Sequence, residues 1–147
     1  MLVAVAVTGE VLIFLAITLL VDRPRPLVKH LDVAPPTSSF PSGHTAAAVA
    51  LYGAWALLAW QRSRSAPLRG LLTLLAIAVP TAVALSRMYR GMHYPTDVLA
   101  GALLGTGWLA VTVRGIRLGV RHHELRAETA GGNPENPARR WPLPRHG

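Results

Sequence analysis

Residues able to bind phosphate and move protons are concentrated in two short stretches. The first, "VDRPRPLVKHLDVAPPTSSFPSGH", runs from Val21 to His44 and holds Asp22, Arg23, Arg25, Lys29, His30, Asp32 and His44. The second, "LSRMYRGMHYPTD", runs from Leu85 to Asp97 and holds Arg87, Arg90, His93 and Asp97. Ser42, Gly43 and His44 open an apolar segment, where the free N–H groups of a helix start attract anions. Gly43 lets an anion approach the backbone, Ser42 adds a hydroxyl donor, and His44 adds a group that titrates near neutral pH. Arg87 can fork onto two phosphate oxygens. His93 and Asp97 are four apart, so a helical turn would put them on one face. A carboxylate on one imidazole nitrogen would fix the tautomer and leave the other nitrogen free to attack.

Each piece has a plainer reading. Ser42 can be a helix cap shaped by Pro41 and Gly43, and Asp97 a first-turn carboxylate with Pro95 near the first helical position. The arginines of "DRPRP" can snorkel to headgroups from a stiff loop, and His93 can bond headgroups at the interface. None of these explains both stretches together.

The elements that must position these groups are apolar. The 147-residue chain is 51% hydrophobic and its apolar residues come in four blocks, roughly 2–21, 45–60, 71–85 and 98–113. A bilayer-crossing helix needs ~20 such residues, which the first block meets directly and the others meet with their polar flanks. No block shows an amphipathic stripe, and so small a chain could hardly bury four all-round apolar helices. The expected fold is therefore all-α, an integral membrane bundle of four transmembrane helices with both polar stretches at one end. The first block lacks the basic start and cleavage site of a signal peptide and carries Glu10 near its middle, where an ionised carboxylate is costly. Gly101, Gly105 and Gly107 in the last block suit close helix packing.

The net charge of +8 reads as topology rather than as nucleic-acid binding. Arg62, Arg64 and Arg69 follow the second block, and Arg114, Arg117, Arg121, Arg126, Arg139, Arg140 and Arg145 follow the fourth. An up-down bundle puts both groups on one side, which the positive-inside rule makes cytoplasmic. The two polar stretches then face the extracytoplasmic side of a cell membrane. Residues 1–120 form the expected core, and 121–147 a basic, Pro- and Gly-rich disordered cytoplasmic tail. With no cysteine, disulfides and thiolate metal sites are excluded.

Three elements of these stretches, "RP" at Arg25-Pro26, "PSGH" at Pro41–His44 and "SRMYRGMHYPTD" at Ser86–Asp97, resemble the signature of the type-2 phosphatidic acid phosphatases, the membrane lipid phosphatases of the vanadium haloperoxidase superfamily. The resemblance implies that His93 is the nucleophile forming a phosphohistidine, that Asp97 orients it, and that His44 protonates the leaving alkoxide and then helps activate water. It implies that Arg25, Ser42, the Gly43 amide and Arg87 hold the phosphoryl oxygens, with no metal and no cofactor. The expected activity is hydrolysis of a lipid phosphate or diphosphate monoester, of phosphatidate or polyprenyl-phosphate type, at the extracytoplasmic face.

Two departures accompany the resemblance. The family's lysine, seven residues before Arg25, falls on Thr18; Arg23 and Lys29 are close but out of register. Membrane members typically carry six helices, so two would be missing ahead of these four, along with a lipid-access wall or homodimer contact. The contrasting readings are a non-catalytic or degenerate membrane subunit binding anionic lipid, and a divalent metal on His44, His93 and Asp97, which the neighbouring arginines disfavour.

Overall fold

The computed structural model describes residues 1–33 and 37–131. Among them are four helices and no strand: α1 (Leu2–Leu20), α2 (Gly43–Arg62), α3 (Ala66–Tyr89) and α4 (Pro95–Gly131). The first structural unit, Met1–Arg114, contains both polar stretches; the remainder of α4 belongs to a second unit. α4 runs on through Gly131, past the expected tail boundary at Arg121, and 132–147 lie outside the described residues.

Three helices, α1, α3 and α4, are long and apolar enough to cross a membrane, where the sequence reading expects four. The exception is α2, whose apolar run is interrupted by His44, Thr45, Tyr52 and Gly53 and ends in Gln61 and Arg62. Small residues serve another purpose there. Ala46, Ala50 and Ala54 are fully buried, and Ala56 and Ala59 nearly so. They let neighbours approach α2 closely.

Packing on α2 relies on missing side chains. A Cβ at Gly101 of α4 would collide with the Ser42 carbonyl oxygen, and one at Gly105 would meet the Ala46 carbonyl oxygen. Small residues one helical turn apart allow such backbone contact where hydrophobic exclusion from water contributes little. Gly107, grouped with these glycines in the sequence, faces open space. On the other flank Gly43 lies against the Phe14 ring of α1, and Gly9 of α1 lies against the Trp108 indole of α4. The Trp108 Nε1–H donates to the Val5 carbonyl at 3.2 Å. Gly101 and Gly105 thus bring the start of α4, with Asp97, against the start of α2, with Ser42 and His44.

Helix ends then set where the polar chain begins. α3 ends at Tyr89 with Arg90 as its cap, and Gly91 turns the chain with φ of 71°, a conformation glycine adopts without the Cβ penalty. Pro95 opens α4, where its missing N–H costs no helical hydrogen bond. His93 lies between these two boundaries.

Candidate active site

Asp97 ties the site together. It is completely buried, and a buried carboxylate requires compensation by charge and hydrogen bonds. Arg23 supplies the charge through its NH1 at 2.6 Å from Asp97 Oδ1. The same nitrogen donates to Thr96 Oγ1 at 2.9 Å, and the guanidinium lies 4.5 Å over the Tyr94 ring centre. The other carboxylate oxygen accepts the Tyr94 N–H at 2.9 Å. The Asp97 carbonyl accepts the Ser42 N–H at 2.9 Å, linking the start of α4 to the start of α2.

His93 is almost as buried, with its Nδ1 2.7 Å from the Ser39 carbonyl oxygen. A carbonyl only accepts, so Nδ1 carries the hydrogen and Nε2 keeps its lone pair. Asp97 Oδ2 stands 3.8 Å from the same Nδ1, beyond hydrogen-bond reach. The expected carboxylate–imidazole bond is replaced by one to the backbone: the Ser39 carbonyl holds the tautomer, and Asp97 adds negative charge nearby. Ser39 is held in turn, its N–H donating to the Arg23 carbonyl at 2.9 Å and its Oγ to the Pro24 carbonyl at 3.0 Å. Burial pushes the His93 pKa below its ordinary value, the Ser39 bond and Asp97 oppose this, and the charges of Arg25 and Arg87 reinforce it.

Two arginines converge on the two histidines. Arg25 NH1 donates to the Met92 carbonyl at 2.9 Å, beside His93, and its NH2 to Thr37 Oγ1 at 3.3 Å. Arg87 NH2 is 3.3 Å from His44 Nδ1. Guanidinium only donates, so Nδ1 of His44 accepts and the neutral ring carries its hydrogen on Nε2. Desolvation lowers the His44 pKa, with Arg87 and Arg25 adding to the effect. Because His44 is exposed, these two charges are the part that an incoming anion cancels. The buried Nε atoms of Arg25 and Arg87 have no hydrogen-bond partner. Two like charges held together also lower the Arg25 pKa, after burial itself, and an anion between them would relieve both.

Ser42 opens α2 but caps it without a side-chain bond. Its buried Oγ pairs with Thr45 Oγ1 at 3.0 Å, so the hydroxyl is free to donate elsewhere when Thr45 is the donor in that pair. Gly43 follows in the first turn of α2. His44, Ser86, Arg87 and Arg90 line one end of a cleft of about 660 Å³.

All seven residues singled out for catalysis and phosphate binding thus lie at one end of the bundle, between the α1–α2 and α3–α4 connections. Sequence reasoning missed the part played by Ser39, whose contribution to His93 is a backbone carbonyl that no residue type signals. It assigned Arg23 only as a stand-in for the lysine, whereas Arg23 is committed to Asp97. The Thr18 hydroxyl, where that lysine is expected, is buried without a partner. Lys29 is exposed. Glu10 is also buried with both oxygens unpartnered.

A sequence profile of the PAP2 superfamily matches residues 1–119. Among solved structures, the chain resembles the first transmembrane PAP2 type phosphatidylglycerolphosphate phosphatase from Bacillus subtilis, with 28% identity and a TM-score of 0.69. The match covers 81% of this chain and 59% of that one, so the chain spans less than two thirds of its neighbour's length. No curated protein matches. A family profile spanning most of the chain, together with a membrane fold neighbour of the same type, shows that this helical membrane protein belongs to the PAP2 superfamily.

Proposed function

We propose that this chain is a metal-independent membrane phosphatase, hydrolysing a lipid phosphate or diphosphate monoester through a phosphohistidine at the extracytoplasmic face. One observation carries the reading: the Ser39 carbonyl holds the hydrogen of His93 on Nδ1, leaving Nε2 as a nucleophile among Arg25, Arg87 and His44. Family membership and the phosphatidylglycerolphosphate phosphatase neighbour support the substrate class, and the arginines at the opposite helix ends support the orientation.

In the first step the phosphoryl group is held by Arg25 and Arg87, with Ser42 and the Gly43 amide as further donors. Electrostatic clamping of the non-bridging oxygens does most of the work in phosphoryl transfer. The Nε2 lone pair of His93 forms a bond to phosphorus while the bond to the leaving oxygen breaks. That oxygen takes a proton from the His44 imidazolium. The resting contact from Arg87 to His44 Nδ1 opposes this protonation. When Arg87 turns to the phosphate it frees Nδ1, and the substrate's negative charge raises the His44 pKa. His44 then becomes the acid only once substrate is bound. In the second step His44, now neutral, takes a proton from water, the water oxygen bonds to phosphorus, and the P–N bond breaks to release phosphate.

Asp97 acts at one remove. Its charge favours the positive ring that forms as His93 is phosphorylated, while its bonds to Arg23 and Tyr94 fix the turn carrying His93. The test is phosphate release from a panel of lipid phosphates and diphosphates, in detergent with excess EDTA, beside a His93→Ala variant. Release that survives chelation and disappears with His93 is expected. Release that depends on added metal, or persists without His93, overturns the reading. Anionic-lipid binding without any release would instead favour the non-catalytic subunit.

A further inference from the structure

The cleft that begins at His44, Arg87 and Arg90 continues along one face of α3 past Ser86 to Val83, Ala82, Val79 and Ala78. These positions recur at helical spacing, and their side chains are small. From Arg90 to Ala78 the face runs about 18 Å at a rise of roughly 1.5 Å per residue. One leaflet of hydrocarbon is about 15 Å deep, half of the ~30 Å core. The cleft is therefore polar and cationic where the phosphate chemistry is placed, and its apolar lining below, from Val83 to Ala78, runs about 7.5 Å, roughly half the depth of one leaflet. The flank of α3 beyond it carries larger exposed groups such as Ile77.

From this continuity we infer that the α3 cleft is the seat of the substrate's hydrocarbon tail and measures its length. This inference rests on the lipid-phosphatase reading above and adds a site to it. A tail leaving the surrounding lipid for the cleft gains little by transfer, since both are apolar. What the cleft contributes is orientation: a tail lying along Ala82 and Ala78 aims its phosphate between Arg87 and His44. The fixed end at Arg87 and His44 makes position along α3 equivalent to distance along the tail. Tails that end above Ala82 leave the deeper part unfilled, and tails reaching Ala78 fill it.

Two obstructing variants test this directly. Ala82→Trp closes the top of the apolar lining and Ala78→Trp closes only its deep end; Ile77→Trp, on the far side of α3, is the control. Turnover is compared for long-chain and short-chain phosphate monoesters of one headgroup, in detergent, with the full chain. Ala82→Trp is expected to lower the ratio of long-chain to short-chain kcat/KM by roughly tenfold or more, the scale on which small misplacements of a reacting group act. Ala78→Trp is expected to affect only the longest tails, and Ile77→Trp to leave the ratio alone. Equal losses on all chain lengths, or no loss from Ala82→Trp, would overturn the inference.

A binding readout separates this from the catalytic reading. A phosphatidate with a photoreactive diazirine near the tail end is crosslinked, and the protein is cut with trypsin. The α3 face falls within one tryptic peptide, 70–87. Labelling concentrated there, displaced by unlabelled long-chain phosphatidate and lost in Ala82→Trp, supports the tail seat. Labelling spread evenly over that peptide and the α1 peptide, and indifferent to Ala82→Trp, rejects it. If the unmodified chain releases no phosphate from any lipid, the catalytic reading fails while the labelling still decides the seat.

Discussion

The two ends of the bundle both carry arginines, and they use them differently. At the α2–α3 turn, Arg69 donates to the Trp60 carbonyl at 3.3 Å and lies 5.1 Å over the Trp60 ring centre. The Trp60 indole N–H donates to Thr73 at 3.0 Å, so every partner lies on the same helical hairpin. At the opposite end Arg23 reaches Asp97, Arg25 reaches Met92, and Arg87 reaches His44. An idle donor does not separate the ends, because the buried Nε of Arg69 is as unpartnered as those of Arg25 and Arg87. Convergence of remote residues does. The turn end anchors one hairpin, whereas the other end holds charges against one another around two histidines.

Removing the proposed nucleophile should break this contrast most severely. His93→Ala is expected to lower phosphate release by more than about a thousandfold, on the scale of nucleophile deletions elsewhere, while circular dichroism shows the helices unchanged. Next in size is Arg23→Ala, which leaves the fully buried Asp97 without its charge partner. Orphaning one member of a buried pair costs about 3–5 kcal/mol, and the partial exposure of Arg23 puts the expectation near 3 kcal/mol, read from thermal unfolding in detergent. Arg23→Lys should recover part of that loss, since a lysine keeps the charge but loses the fork and the aromatic stacking.

Arg23 also shows where sequence reading stops. Residue type and spacing brought Ser42, Gly43, His44, Arg87, His93 and Asp97 to notice, and the resemblance of the combined motifs added Arg25, although each piece alone has a plainer reading. Apolar block lengths likewise outlined all four helices. What spacing could not convey is which partner each group chooses. The sequence offers Asp97 as the obvious mate for His93, but three-dimensional packing gives Asp97 to Arg23 and gives His93 a backbone carbonyl. The crossing helix count fell short for a related reason. His44, Thr45, Tyr52 and Gln61 lower the apolarity of α2, and the benefit of its small residues, close approach by Gly101 and Gly105, depends on neighbours distant in the chain.

A pH profile sharpens the comparison further. In the proposed mechanism His93 attacks as the neutral base, so kcat/KM is expected to fall as pH drops through its pKa in the free protein. Burial and the nearby guanidiniums hold that pKa down, which places the acid limb below the ordinary histidine value of about 6.5. Arg25→Met removes one of those positive charges and should move the limb to higher pH, besides lowering kcat/KM throughout. An acid limb that stays fixed in Arg25→Met would mean that His93 does not feel this charge.

The smallest effect is expected at the other end. Arg69→Ala removes a half-exposed cation–π contact worth about 0.5–1 kcal/mol and the long hydrogen bond to the Trp60 carbonyl, so unfolding should shift slightly and phosphate release should not change. A large loss of activity there would erase the distinction between the two ends.

The most direct measurement is to quench the reacting protein with base, where phosphohistidine survives, and to map the phosphoryl group by mass spectrometry. Trypsin places His93 in the peptide 91–114, apart from His44. Because Nδ1 is engaged by the Ser39 carbonyl, the phosphoryl group should be found on His93, as the Nε2 isomer. A phosphoryl group on His44, or on Nδ1 of His93, or on neither histidine during active turnover, would contradict the assignment of His93 Nε2 as the nucleophile.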